Sequence, residues 1–239
     1  MADFQDRPLR HQATVTRAYE IDEGLRSYML RIYNYMALGV GLTGVVAYVT
    51  AHSPALMGAI YGTPLQWVVI LAPLGVVFFL SAKINSISAS AAQVTFWIFA
   101  GLIGLSLASI FIVYTQASIA RVFFITSGMF GAMSLYGYTT KRDLTGMGSF
   151  LFMGLIGIII AMVVNIFLQS AAIQFAVSIL GVLIFTGLTA YDTQTIKEMY
   201  FEGDDSETMG KKAIMGALRL YLDFINLFLM LLRLLGNRN

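Results

Sequence analysis

Two aspartates stand in stretches of the sequence that are otherwise apolar. Asp192, in the motif YDTQ, follows a run of 48 residues without a charged side chain, and Asp223 lies within LYLDFINLF. A carboxylate inside a membrane segment is costly unless it is paired, and such groups usually face a protein interior or a wet cavity. Two carboxylates can share a proton, or supply oxygen ligands to a cation such as calcium. Asp192 and Asp223 are therefore the candidate ion-binding and gating residues.

The neighbouring polar residues also allow simpler roles for the two aspartates. Arg219 precedes Asp223 by four residues on the same helix face, so a simple ion pair could neutralise this aspartate. Asp192 could equally be a carboxylate that reaches the membrane surface from a helix end. Asn226 would add a supporting polar group one turn beyond Asp223.

The composition places these residues in a membrane protein. Of 239 residues, 58% are hydrophobic and 12% are charged, whereas about a quarter are charged in soluble proteins. Four charge-free runs, 32–82, 84–120, 122–140 and 144–191, each approach or exceed the roughly 20 residues of a spanning helix. The alternation typical of a membrane β-barrel is absent, so the sequence predicts an all-α, polytopic membrane protein.

Polar and proline- or glycine-containing breaks divide these runs into seven predicted spans. The predicted helices are 30–51, 65–81, 91–114, 119–138, 148–168, 173–196 and 214–235. The fifth and sixth result from folding the 48-residue run back on itself near Gln169, since an unbroken helix of that length would extend about 72 Å. Residues 1–28 are predicted to be a polar cytoplasmic tail, and residues 29–239 the transmembrane domain.

The distribution of basic residues predicts the orientation, because lysine and arginine accumulate on the cytoplasmic side. With the amino terminus inside, twelve of the 15 basic residues fall on that side: Arg7, Arg10, Arg17, Arg26, Arg31, Lys83, Lys141, Arg142, Lys197, Lys211, Lys212 and Arg219. A last segment that enters the membrane and returns would place two further arginines inside, so charge does not decide between seven spans and six spans with a hairpin.

Several classes of function are excluded by the composition. A net charge of +2 without a basic patch argues against a nucleic-acid partner, and the lack of cysteine excludes thiolate sites. His11 and His52 stand alone, without metal-ligand spacing. No nucleophile motif accompanies a base, so neither an enzyme nor a bound cofactor is expected.

Three segments carry a resemblance to a known family. GMFGAMSLYGYTTKRDLTGMGSFLFMGLIGIIIA at 128–161, GLTAYDTQTIK at 187–197 and LYLDFINLFLMLLRLLGNR at 220–238 resemble the bacterial branch of the Bax inhibitor family, also called the transmembrane Bax inhibitor motif family. The resemblance extends from about Gly24 to the end. It implies a bacterial inner membrane protein of seven helices, with the last helix at the centre of a ring formed by the other six.

The resemblance also implies a function, a pH-sensitive calcium leak in which paired aspartates bridge the last two helices near the cytoplasmic side. Those aspartates match Asp192 and Asp223, and calcium would be the permeant ion. In some bacterial relatives an arginine late in the second helix pairs with them as a latch. Here the segment reads FFLSAKIN, so Ser81 stands near that position, and Lys83 and Arg219 are the candidate charge partners.

A second hypothesis belongs to a different class. Relatives in this family are also said to dock on other membrane proteins, such as a membrane protease, and to modulate them. Interior carboxylates favour the ion channel, because a docking surface does not need them, whereas the exposed amino-terminal tail favours docking. Beside the lipid bilayer, calcium and a second membrane protein are therefore the expected partners.

Overall fold

A computed structural model describes the backbone of residues 6–239 and the side chains of residues 23–239. Over residues 6–239 the chain is all-α, as predicted, and contains no strand. The one β-type pairing in this range is an isolated bridge between Tyr114 and Arg238. Its helices are α1 (Asp6–Ala51), α2 (Pro54–Tyr61), α3 (Leu65–Lys83), α4 (Ala89–Leu107), α5 (Ile110–Val113), α6 (Gln116–Thr139), α7 (Thr145–Leu168), α8 (Ala171–Glu198) and α9 (Ser206–Leu235).

Seven stretches of these helices are long and apolar enough to cross a membrane, which confirms the predicted number. They are Glu23–Ala51, Leu65–Lys83, Ala89–Val113, Gln116–Thr139, Thr145–Leu168, Ala171–Glu198 and Ser206–Leu235. The third combines α4 with α5, and the first is the later part of α1. Of the predicted tail, residues 1–5 and the side chains of residues 6–22, including His11, lie outside the described residues.

The last helix begins earlier than predicted, at Ser206 instead of near residue 214. Asp205 caps it by accepting a hydrogen bond of 2.6 Å from the backbone nitrogen of Thr208. Lys212 then bonds to Asp204, and Lys211 lies 3.4 Å from Glu207. Local capping and ion pairing therefore stabilise two polar turns that apolar patterning could not identify. From Ser206 to Leu235 α9 is a single helix without a turn, so the alternative of a membrane hairpin in this segment is wrong.

The last helix is central, as the resemblance implied. In its most apolar 18-residue stretch 72% of the residues are buried, against 11–28% in the other six spans. It packs against α1, α4, α6 and α8, while α3 packs mainly on α4 and α7 mainly on α8. The bundle is thus less symmetrical than a ring of six helices, with four helices around α9 and two on the outside.

The reversal between α7 and α8 lies where the sequence predicted it. Gln169 ends α7 in the left-handed conformation, with a φ of 48°. The side chain of Asn165 accepts a hydrogen bond of 2.9 Å from the backbone nitrogen of Ser170, and Ser170 caps α8. This tight turn sets α8 antiparallel to α7 and brings the YDTQ motif to the end of the bundle where α9 starts.

Candidate functional site

The two predicted aspartates meet between α8 and α9. Their carboxyl groups lie within hydrogen-bonding distance of each other. Asp223 is 5% exposed and Asp192 is half-buried. Among the described residues, no donor reaches the Oδ2 atom of Asp223. Two carboxyl groups so close repel strongly when both are ionised, so the pair must share a proton or face a cation.

In the YDTQ motif, the contacts of Tyr191, Thr193 and Gln194 position Asp192. Successive helical residues differ by about 100°, so these four residues point to different sides of α8. The Tyr191 ring packs on α7 at Gly148, where an added Cβ would lie 2.5 Å from the ring. Thr193 is fully buried, and its Oγ1 lies 2.9 Å from the Oγ of Ser134 on α6. Asp192 is left to face α9.

Gln194, the last residue of the motif, holds the connection between α6 and α7. Its Oε1 accepts a hydrogen bond of 2.8 Å from the backbone nitrogen of Leu144, and its Nε2 donates one of 2.8 Å to the carbonyl of Arg142. Lys197, one turn further on, donates to the carbonyl of Tyr138 at 2.9 Å. The end of α8 that carries Asp192 is therefore fixed to α6, to α7 and to the loop between them.

On α9 a polar anchor and an aromatic cluster flank Asp223. Thr43 of α1 donates to the carbonyl of Ala100 at 2.8 Å, so its oxygen is free to accept from the hydroxyl of Tyr221 at 2.6 Å. On the other side the ring of Phe224 lies 5.6 Å from that of Phe130 on α6. Asp223 is thus buried on a helix that is fixed on both sides of it.

The predicted charge partners do not form ion pairs with the aspartates. Arg219 is close enough for its charge to act on both carboxyl groups, yet it is exposed, and no ion pair within 4 Å joins it to a carboxylate of residues 23–239. The simple Arg219–Asp223 pair is therefore not what the structure has. Lys83 is exposed at the end of α3 and has no ion pair with a described residue.

Asn226 is not bonded to the aspartates either, because its amide nitrogen donates to the carbonyl of Leu222 on its own helix. His52 bonds to the carbonyl of Tyr48 and lies 3.2 Å from the Nε2 atom of Gln116. No cluster of three or more His, Cys, Asp or Glu side chains that could hold a metal occurs among the described residues. Any cation at this site would have the two aspartates as its charged ligands.

Comparison with known proteins shows the family of this chain. The family model described as "Inhibitor of apoptosis-promoting Bax1" matches residues 25–239. The chain belongs to the Bax inhibitor family. It is 52% identical over 218 residues to the Escherichia coli inner membrane protein YbhL, with 90% of this chain and 93% of YbhL covered. It is 50% identical over 225 residues to a Rickettsia prowazekii protein, covering 94% and 95% of the two chains.

One further polar group lies near the aspartate pair, and the sequence did not reveal it. The hydroxyl of Tyr33 on α1 lies 2.5 Å from the Oγ of Ser134, which in turn bonds to Thr193. Three helices are therefore joined by hydroxyl groups beside Asp192. Ser and Thr are frequent throughout the sequence, so adjacency of Thr193 to Asp192 was the one available signal.

Proposed function

We propose that this protein is a pH-sensitive calcium leak channel in which Asp192 and Asp223 form the gate. The observation that carries the proposal is the contact between the two carboxyl groups, one of them buried, at the interface of α8 with the central helix. A purely structural role would not need two acids in contact inside an apolar bundle, since an apolar pair of similar volume is usually at least as stable.

In the closed state the pair holds one proton. The proton resides on Asp223, because the more deeply buried carboxyl group loses more on ionisation, and it is donated to Asp192. This bond ties α8 to α9. When the pH rises and the proton leaves, two negative charges face each other in a medium of low dielectric constant, and the contact opens.

The open state attracts a divalent cation. Calcium takes six to eight oxygen ligands, and two aspartates supply at most four, so water or backbone carbonyls must complete its shell. Such an incomplete site binds weakly, which suits passage better than storage. Among the described residues, Arg219 is the positive charge of this mechanism, since its charge acts on both aspartates, whereas Lys83 at the end of α3 does not act on either of them.

The membrane and orientation are part of the proposal. The relative YbhL is named an inner membrane protein, and its high identity supports the same membrane for this chain. The excess of lysine and arginine at one end supports a cytoplasmic amino terminus, and with that orientation the aspartate pair would lie towards the cytoplasm.

Calcium flux in proteoliposomes tests the gate. Purified wild-type protein should pass more calcium as the pH rises, and the Asp192→Asn, Asp223→Asn double variant should lose this dependence. Asp143→Asn is the matched control, because Asp143 is an exposed acid in the α6–α7 connection outside the spans. A double variant with the wild-type pH profile would exclude the pair as the sensor.

The same experiment separates the channel from the docking hypothesis. Liposomes that contain this protein alone offer no membrane protease or other partner. Flux above that of protein-free liposomes supports a channel. No flux at any pH, from protein shown to be folded and inserted, would contradict the channel and leave docking as the better hypothesis.

A further inference from the structure

A cleft separates α1 from α6. Two cavities lie along it, one of about 470 Å³ near the start of the α1 span and one of about 270 Å³ towards the other end of the bundle. The larger one, here called the inner cleft, is lined by Arg26, Met29, Leu30, Tyr33, Phe130, Gly131, Ser134, Leu135 and Tyr138. The bond between Tyr33 and Ser134 crosses between the two helices at this level.

The inner cleft is apolar along its length and basic at one end. Met29 and Phe130 are buried on its walls, and Leu30 and Leu135 are exposed at its rim. An added Cβ on Gly131 would have no heavy atom within 4 Å, so there is unfilled space at this point. Arg26 is exposed one turn inside the start of the α1 span, where a phospholipid headgroup would lie.

The dimensions and chemistry of the inner cleft select one kind of occupant. An α-helix with its side chains is about 10–12 Å across, which is too wide for a slot whose walls are joined by a hydrogen bond. A single acyl chain is thin enough. A guanidinium group binds a phosphate through two parallel hydrogen bonds and retains this affinity near a membrane surface. A phosphatidylcholine headgroup is zwitterionic, and its trimethylammonium group beside the same arginine would reduce this gain.

We propose that the inner cleft binds an anionic phospholipid, with an acyl chain between α1 and α6 and the phosphate on Arg26. Glu23 and Arg31 line a neighbouring cavity together with Arg26, so the described side chains around the two cavities carry one acid and two bases. That balance favours a headgroup with a net negative charge. The binding is measured without ion flux, so the inference does not rest on the proposed channel.

Thermal unfolding in nanodiscs of defined lipid tests this site. The wild-type protein should unfold at a higher temperature in phosphatidylglycerol than in phosphatidylcholine, and native mass spectrometry should show a retained phosphatidylglycerol molecule. Arg26→Gln should lose most of the difference between the two lipids. Arg142→Gln is the matched control, since Arg142 is an exposed arginine in the α6–α7 connection outside the inner cleft.

A second pair of variants tests the acyl chain independently of charge. Gly131→Leu should fill the inner cleft and reduce the amount of retained lipid. Gly157→Leu makes the same change at an exposed position of α7 that likewise has nothing within 4 Å, and should not affect lipid retention. The proposal is overturned if the two lipids stabilise wild type equally, if Arg26→Gln and Gly131→Leu both retain lipid as wild type does, or if inorganic phosphate alone reproduces the stabilisation.

Discussion

Ser134 of α6 and Thr193 of α8 are joined by a hydrogen bond of 2.9 Å immediately beside Asp192. The donor and acceptor in this series of hydrogen bonds can be worked out, because each hydroxyl has one hydrogen to donate. Thr193 donates its hydrogen to the carbonyl of Thr189 at 2.7 Å, so Ser134 donates to Thr193 and accepts from Tyr33. One serine thereby connects α1, α6 and α8 at the level of the aspartate pair.

Removing that serine hydroxyl should destabilise the protein. Ser134→Ala leaves the buried oxygen of Thr193 without its donor, and an unsatisfied buried group costs about 1–3 kcal/mol. Ser127→Ala is the control, because the Ser127 hydroxyl bonds to a carbonyl of its own helix at 2.8 Å. Thermal unfolding in detergent should show a larger loss for Ser134→Ala, and the effect of a Ser134→Ala, Thr193→Val double variant should be smaller than the sum of the two single effects. Equal losses of stability in Ser134→Ala and Ser127→Ala would contradict the hydrogen bonding proposed for Ser134.

The contact of α6 with α8 should be intolerant of any side chain at Gly137. A Cβ there would lie 2.2 Å from the carbonyl oxygen of Ala190, which is backbone and cannot move aside. Gly137→Ala should therefore force the helices apart and cost about 1–3 kcal/mol. Gly131→Ala on the same helix has open space and should change the stability little. Denaturation of both variants decides this, and similar stabilities would show that the helices are not in close contact.

The glycines also show which parts of the fold the sequence could predict. Helix lengths, the reversal at Gln169 and the two aspartates follow from runs of apolar residues and isolated charges, which are local features. Gly128 and Gly131 have a spacing that is common at close helix contacts, but a Cβ added at either would meet no atom of a neighbouring helix within 4 Å, whereas Gly137 makes the contact. Spacing does not give the rotation of a helix about its axis, and that rotation decides which small residue faces a neighbour.

The same limit applies to the site. The depth of Asp192 and Asp223 follows from counting residues along two helices, so their meeting was predictable. The orientation of the Arg219 side chain was not predictable. Its position four residues before Asp223 suggested an ion pair, whereas the side chain is exposed. Long-range bonds such as that of Gln194 to the α6–α7 connection leave no local pattern in the sequence.

Part of the stability that the cap of α9 provides should be lost at acidic pH. Hydrogen bonds from Thr208 hold the pKa of Asp205 below its ordinary value of 3.8. A group whose pKa is lowered by folding stabilises the protein while it is ionised, so this contribution is complete well above pH 3.8 and is lost as the pH falls through the lowered pKa.

Two substitutions separate the cap from its charge. Asp205→Ala should lower the unfolding temperature at neutral pH, since α9 loses its capping acceptor. Asp205→Asn should keep most of the cap but lose part of the acid-dependent component. The rest remains because Thr145 also lowers the pKa of Asp143. Thermal unfolding of the three proteins from neutral to acidic pH measures both effects. An unchanged acid profile in Asp205→Asn would exclude a contribution of this carboxylate.

The carboxy terminus should lie on the opposite side of the membrane from the start of the first span. At about 1.5 Å per residue the unbroken α9 is long enough to cross the bilayer. Its end is fixed to the connection before α6, where Thr115 donates to the carbonyl of Asn237 at 3.1 Å and Asn239 donates to that of Val113 at 3.0 Å. That connection follows the third span, so it lies opposite the amino-terminal side.

Reporter fusions check this orientation. With a cytoplasmic amino terminus, alkaline phosphatase fused after Asn239 should be active, because the enzyme matures outside the cytoplasm, whereas a fluorescent protein that folds in the cytoplasm should be dark there. A fusion in the α6–α7 connection at Asp143, after the fourth span, should give the opposite pair of signals. If both positions report the same side, the seven-span topology is wrong. If both signals are reversed, the seven spans stand and the amino terminus is outside, which would also move the aspartate pair to the outer side.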